Sequence, residues 1–199
     1  IQVARRTFLF TWNPSKWSWD DLSQAVYETN CEGTHRNNWS IGVTRNIFPG
    51  DRFFLMRLGM APKGMIGSGV VASEPFIGPH WDEKRAAKGE TVRRVEVLFD
   101  ALSDQPVLDE SLLGSGKFGT HNWFPQASGT IIPEDIAAHL EITWSQQTGI
   151  IFSAPDAEDV KRFVEGTKTT RLVTKYERNS KAKEECLKHH DRRCKVCGM

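Results

Sequence analysis

What most limits the fold open to this chain is its supply of short apolar, aromatic and β-branched runs, each closed by a turn, with few stretches suited to long helices. Thr7-Phe-Leu-Phe-Thr11 reads as a buried strand, broken by Trp12-Asn-Pro14. Pro49-Gly-Asp51 is a turn feeding Arg52-Phe-Phe-Leu-Met-Arg-Leu58, whose hydrophobic density suits a central strand. After a turn at Pro62-Lys-Gly64, Met65 to Ser73 reads as a strand bent or bulged at Gly67 and Gly69. Glu90 to Asp100 alternates around Val92, Val95, Val97 and Phe99. Strands divided by turns, with short helices only, argue for a small sheet that is curved or closed on itself.

The helices are fewer. Ser18 and Asp21 have capping-box spacing for a helix that turns Leu22, Ala25 and Val26 inward. Pro133 at a first helical position opens another, through Ile136, Ala137 and Leu140. A third is expected from about residue 155 to Val164, stopped by Gly166. The polar stretch Asn30 to Asn38 reads as a loop, Thr167 to Thr174 as a linker, and Ser180 to His190 as a separate helix.

At 199 residues, with 39% hydrophobic and 26% charged, the chain suits one ordinary domain with an appendage. No apolar run is long enough to span a bilayer, and Ile1 to Arg6 lack a secretory core, so a cytoplasmic protein is expected. The lack of an initiating Met, with an end at Met199 just past Cys197, predicts an excerpt of a longer protein. Net charge is only +1, but positive charge is concentrated between Lys168 and Lys195. That stretch fits a solvated linker and a phosphate-contacting segment about equally. Four unevenly spaced cysteines define no disulfide framework.

Seven tryptophans stand out. Trp12, Trp17, Trp39, Trp81 and Trp123 lie among Asn, Ser, Pro, His and Gln, as loop or strand-end residues do, whereas Trp19 and Trp144 suit helix and core. Any one of them is most simply a core residue. As a group beside polar side chains, they match what a pocket for a flat heterocycle needs: faces to stack on, and donors and acceptors to read an edge.

The ordered series Phe8-Leu-Phe-Thr-Trp-Asn-Pro14, Trp17-Ser-Trp-Asp-Asp-Leu22, Trp39-Ser-Ile-Gly42, Pro49-Gly-Asp-Arg-Phe-Phe-Leu55, Gly67-Ser-Gly69, His80-Trp-Asp82 and Trp123-Phe-Pro-Gln-Ala-Ser-Gly129 resembles an EVE domain of the PUA-like superfamily, over roughly Thr7 to Trp144. The resemblance implies an α+β fold, a PUA-like curved β-barrel with flanking helices, and a pocket for one extruded base. By similarity to the related YTH readers of methylated adenine, Trp39 and Trp81 are the stacking candidates and Ser40 reads the base edge. Trp12, Asn13, Asp82, Trp123 and Gln126 join them in second rank. Arg45, Lys84, Arg85 and Lys88 are the leading candidates for phosphate contacts, with Arg93 and Arg94 behind them, and surface charge is an equal reading for each.

Tyr176-Glu-Arg-Asn179, Cys186-Leu-Lys-His-His190 and Cys194-Lys-Val-Cys-Gly198 resemble the start of an HNH nuclease, a ββα-metal domain that follows a helical linker. Cys194 and Cys197 would be half of a structural zinc site, although a lone CxxC step also fits a redox pair. The family's nuclease chemistry uses a divalent metal such as magnesium and a catalytic His, both expected beyond Met199, so this chain alone is expected to be inactive. Together these resemblances imply a base-binding domain at residues 1–166 and a linker with a nuclease fragment at 167–199. The whole would be a modification-dependent restriction endonuclease acting on modified double-stranded DNA, with 5-methyl- or 5-hydroxymethylcytosine as the target. Two cuts on a duplex favour a homodimer. The rivals are a non-catalytic reader of modified RNA and a structural interaction module.

Overall fold

The computed structural model describes residues 5–155 and 160. These all fall in the first of two units into which the chain divides, residues 1–169. The expected helix near 155–164, the linker, the helix at 180–190 and the Cys194/Cys197 pair lie essentially outside the described residues.

The architecture is α+β. The strands are β1 (Thr7–Trp12), β2 (His35–Ser40), β3 (Arg52–Arg57), β4 (Gly64–Val71), β5 (Phe76–Pro79), β6 (Thr91–Leu102), β7 (Leu108–Asp109) and β8 (Thr130–Ile132). They form one sheet in the order β2-β6-β4-β3-β1-β8, with β5 on β6 and β7 on β4. Among the described strands only β1 and β3 pair in parallel, from Thr7 opposite Arg52 to Trp12 opposite Arg57. The helices are α1 (Leu22–Tyr27), α2 (Glu83–Ala86), α3 (Glu110–Leu113) and α4 (Glu134–Thr148), with a π-helical turn at Glu28–Glu32.

Side-chain alternation makes two cores, one on each face. Phe8, Phe10, Trp12, Phe53, Leu55, Val95, Val97 and Phe99 meet Trp19, Trp39 and Ala25 of α1 on one face. Leu9, Phe54, Met56 and Met65 meet Leu140 and Trp144 of α4 on the other. Irregular pairings near the glycines of β4 occur between Leu55 and Met56 against β3, and between Ser68 and Gly69 against β6. The second shifts the face: Phe99 points to the first core, Ala101 to the second and Leu102 back to the first. Gly69 is required there by contact, since a Cβ would collide with the Leu98 carbonyl and lie 2.7 Å from the Phe53 ring.

Arg52 is only 3% exposed and fastens the sheet to α4. Its Nη1 donates to Asp100 at 2.6 Å and to the Gly69 carbonyl at 3.1 Å, and its Nε donates to Glu141 at 2.6 Å. Burial alone would lower its pKa, but the two carboxylates outweigh it and the value is raised.

Four expectations change. The sheet is open and not a closed barrel. Along β1 the outer edge is occupied by β8 and by the Ser128–Gly129 segment, because Thr11 N donates to Ser128 Oγ at 3.2 Å and Gly129 N to the Leu9 carbonyl at 3.0 Å. No ladder to β2 can then form there. The polar stretch 30–38 is mostly regular, carrying the end of the π turn and most of β2, which pairs with β6 from His35 opposite Phe99 to Ser40 opposite Arg94. The capping box does not form: Ser18 bonds the Asp20 carboxylate, and Asp21 sits at the cap without a side-chain bond. Pro133 is the cap residue of α4, one position before the helix.

Candidate functional site

The ends of β1 and β2 converge where the sheet stays open. Strand β1 passes from Trp12 into Asn13, whose carbonyl accepts from Lys16 N at 2.9 Å and Trp17 N at 3.1 Å, a turn that brings Trp17 back over the strand end. The Trp12 indole N–H donates to the Trp17 carbonyl at 3.0 Å, and the Trp39 indole N–H donates to the Thr11 carbonyl at 3.3 Å. Trp17 meets Trp39 edge-on at 5.7 Å and stacks on Trp19 at 5.9 Å.

These residues wall a cavity of about 650 Å³, within the roughly 300–1,000 Å³ typical of small-molecule sites. Trp12, Trp17, Trp39 and Trp81 give it aromatic surface. Asn13, Asn38, Ser40, His80, Gln126 and Ser128 give it polar surface, and its charged lining is Lys16 and Arg94, with no carboxylate. Trp39 and Trp81 share the cavity and are not in ring contact with one another.

Some polar groups are committed and others free. Asn13 Oδ1 accepts from Ser15 N at 3.0 Å, Ser128 Oγ accepts from Thr11 N, and His80 Nδ1 accepts from Asp82 N at 2.9 Å, leaving His80 Nε2 to carry the ring hydrogen. By contrast, no described residue hydrogen-bonds the side chains of Lys16, Asn38, Ser40, Trp81 or Gln126. Arg94 is half-buried, donates from Nη2 to the Pro79 carbonyl at 2.9 Å, and has its pKa lowered by burial. Two cations and no carboxylate in this lining favour an anionic group there.

Of the residues singled out in the sequence, Trp12, Asn13, Trp39, Ser40, Trp81 and Gln126 line this cavity. Trp39 sits at a strand end, as the next-to-last residue of β2, and is buried in the first core. Trp123 stands apart, buried in the second core with its indole bonded to the Phe118 carbonyl at 2.8 Å. Asp82 also lies off the cavity wall and caps α2, accepting from Lys84 N at 2.9 Å and Arg85 N at 3.2 Å.

Arg45, Lys84 and Lys88 are exposed, with no ion pair among the described residues. Arg85 instead pairs with Glu90 at 2.6 Å. Trp17, counted in the sequence among the pocket indoles, and Arg94, named there as a second-rank phosphate contact, also line the cavity, whereas Lys16, Asn38 and His80 were missed as lining residues. The pairing of β6 with β2 places Arg94 beside Ser40. Among the described residues, no group of three His, Cys, Asp or Glu side chains could hold a metal ion. No helix there is long and apolar enough to cross a membrane.

No protein-family model and no curated protein matches the chain. Among solved structures it is similar to a hypothetical protein from Leishmania major, at 18% identity and a TM-score of 0.46, covering 72% of this chain and 97% of that one. It is also similar to a protein from Pseudomonas syringae, at 16% identity and a TM-score of 0.43, covering 69% of this chain and 99% of that one. An NMR structure from Rhodopseudomonas palustris gives 18% identity and a TM-score of 0.33, covering 82% and 96%. Likenesses of this degree assign no function.

Proposed function

We propose that the cavity receives one modified base extruded from double-stranded DNA, and that the chain is the recognition part of a modification-dependent restriction endonuclease. The observation that carries the reading is the cavity's lining: four indoles, unengaged amide and hydroxyl groups, two cations and no carboxylate. Indole faces stack on any base, at about 1–3 kcal/mol each, against a few kcal/mol for unstacking. Free Asn38, Ser40 and Gln126 side chains can read a base edge, and Lys16 and Arg94 suit the phosphates on either side. An organic cation, which indole faces also hold, would be repelled by Lys16 and Arg94.

The finer fold reading, a PUA-like curved barrel, belongs to the same proposal. Its support is the way side chains bridge the open edge, Trp39 to Thr11 and Thr44 Oγ1 to the Gly129 carbonyl at 2.6 Å. On this reading the target is 5-methyl- or 5-hydroxymethylcytosine, residues 1–166 bind it, and residues 167–199 lead to an HNH nuclease. Cys194 and Cys197 would hold half of its zinc site, and a divalent metal such as magnesium would serve cleavage. A purely structural role suits Trp12 and Trp39, whose indole N–H groups are spent within the fold, but not partly exposed Trp81, whose indole N–H has no partner among the described residues.

The test compares binding of the 199-residue chain to duplexes with and without one modified cytosine, and to the matching RNA. Trp81→Ala should keep the wild-type denaturation midpoint and lose about tenfold or more of the preference for modified DNA, the equivalent of one stacking contact. An unchanged preference in Trp81→Ala would remove the cavity from the reading. A preference for modified RNA over DNA would replace the nuclease reading with an RNA reader.

A further inference from the structure

The cavity rim carries an apolar side chain that the fold does not use. Val43 is 89% exposed, more than any other large hydrophobic residue described. It follows Gly42, which lines the cavity, and its turn is tied down by hydrogen bonds. Thr44 N donates to the Ile41 carbonyl at 3.1 Å, Thr44 Oγ1 holds the Gly129 carbonyl, and Ile41 is fully buried.

Gly42 has φ +57°, and a Cβ there would stand 2.9 Å from the Ser128 carbonyl oxygen. No other residue type enters that corner cheaply. Because no described non-glycine residue has positive φ, Val43 takes the second corner with negative φ, as in a type II′ turn. The turn's hydrogen bonds hold this apolar tip in water.

We infer that Val43 is the wedge that enters the DNA stack where the read base has left it. This deepens the proposed base-binding reading and rests on it. Removing a base from a duplex leaves a gap flanked by unstacked neighbours, and an apolar side chain inserted between base steps fills such a gap. The wedge must be small enough to enter, held stiffly, and set beside the base pocket. Val43 meets all three conditions. Arg45, two residues on and unpaired among the described residues, is placed to meet a phosphate as the tip enters.

The test measures affinity of the full chain for a duplex with one 5-methyl- or 5-hydroxymethylcytosine, and for the same modified strand alone. Val43 is exposed, so Val43→Ala should fold normally. It should bind the modified duplex about tenfold more weakly, with single-strand affinity within twofold of wild type, and Val43→Leu should restore duplex binding. A 2-aminopurine beside the modified base should brighten with the wild type and much less with Val43→Ala. Equal losses on duplex and single strand, or no loss on either, would overturn the wedge. If the wild-type chain itself shows no preference for modified DNA in either form, the base-binding reading fails and the wedge with it.

Discussion

Trp39 belongs at once to the first core and to the cavity wall, so its substitutions report on two things together. Trp39→Ala should lower stability by about 3–5 kcal/mol, the usual loss for a buried aromatic, visible as a lower urea midpoint. Trp39→Phe keeps most of the packing and loses the bond to Thr11, for a cost of about 0.5–1.5 kcal/mol. Trp81→Ala should leave the midpoint in place. Single residues were only partly legible from the sequence. An indole between Asn38 and Ser40 reads as a pocket residue, and nothing in that triplet says that its ring is 4% exposed. Trp123 misleads for the opposite reason: its neighbours Asn122, Phe124 and Gln126 are exposed, yet the indole turns under them into the second core.

Strands whose own residues carry the pattern were legible: β1, β3, β4 and β6 lie close to the segments their alternation or apolar density marked. Strand β2 was not. His35-Arg-Asn-Asn-Trp-Ser40 has little strand preference, and six register pairs with β6 supply what its side chains do not. The same holds for short β5, which contains Gly78 and Pro79 and leans on the other end of β6. The irregularity of β4 was foreseen from its glycines: Ile66 is its unpaired residue against β3, beside Gly69 the extra residue is Asp100 of β6, and the strands approach closely at Gly69. Gly69→Ala should therefore destabilise the protein by about 1–3 kcal/mol through overpacking against Leu98 and Phe53, measured by chemical denaturation.

Across the whole molecule, a net charge of +1 hides a local arrangement in which Lys16 and Arg94 line the cavity, with Lys84 and Lys88 close in sequence to Trp81. If these meet phosphates, log affinity should fall with log salt by about 0.9 per contact, and Lys84→Ala should reduce that slope by about one contact on modified and unmodified DNA alike. Arg85→Ala should change the slope little, because Glu90 already answers its charge. Acidity should act through His121, whose pKa burial holds below the ordinary histidine value. The fold favours its neutral form, so this contribution is complete above about pH 6.5 and is lost as pH falls from there through the lower folded value. Urea midpoints measured from pH 7.5 downward should decline, and His121→Gln should flatten part of the decline. The bond from the Trp39 indole to Thr11 has one more consequence, for divergence. Selection for folding alone holds Trp39 in place, so if the cavity binds as proposed, descendants of this protein can change its ligand most readily at lining positions the fold leaves free: Lys16, Asn38, Ser40, Trp81 and Gln126. A randomised library sorted for folding, with no ligand present, should keep tryptophan at 39 and scatter at 81.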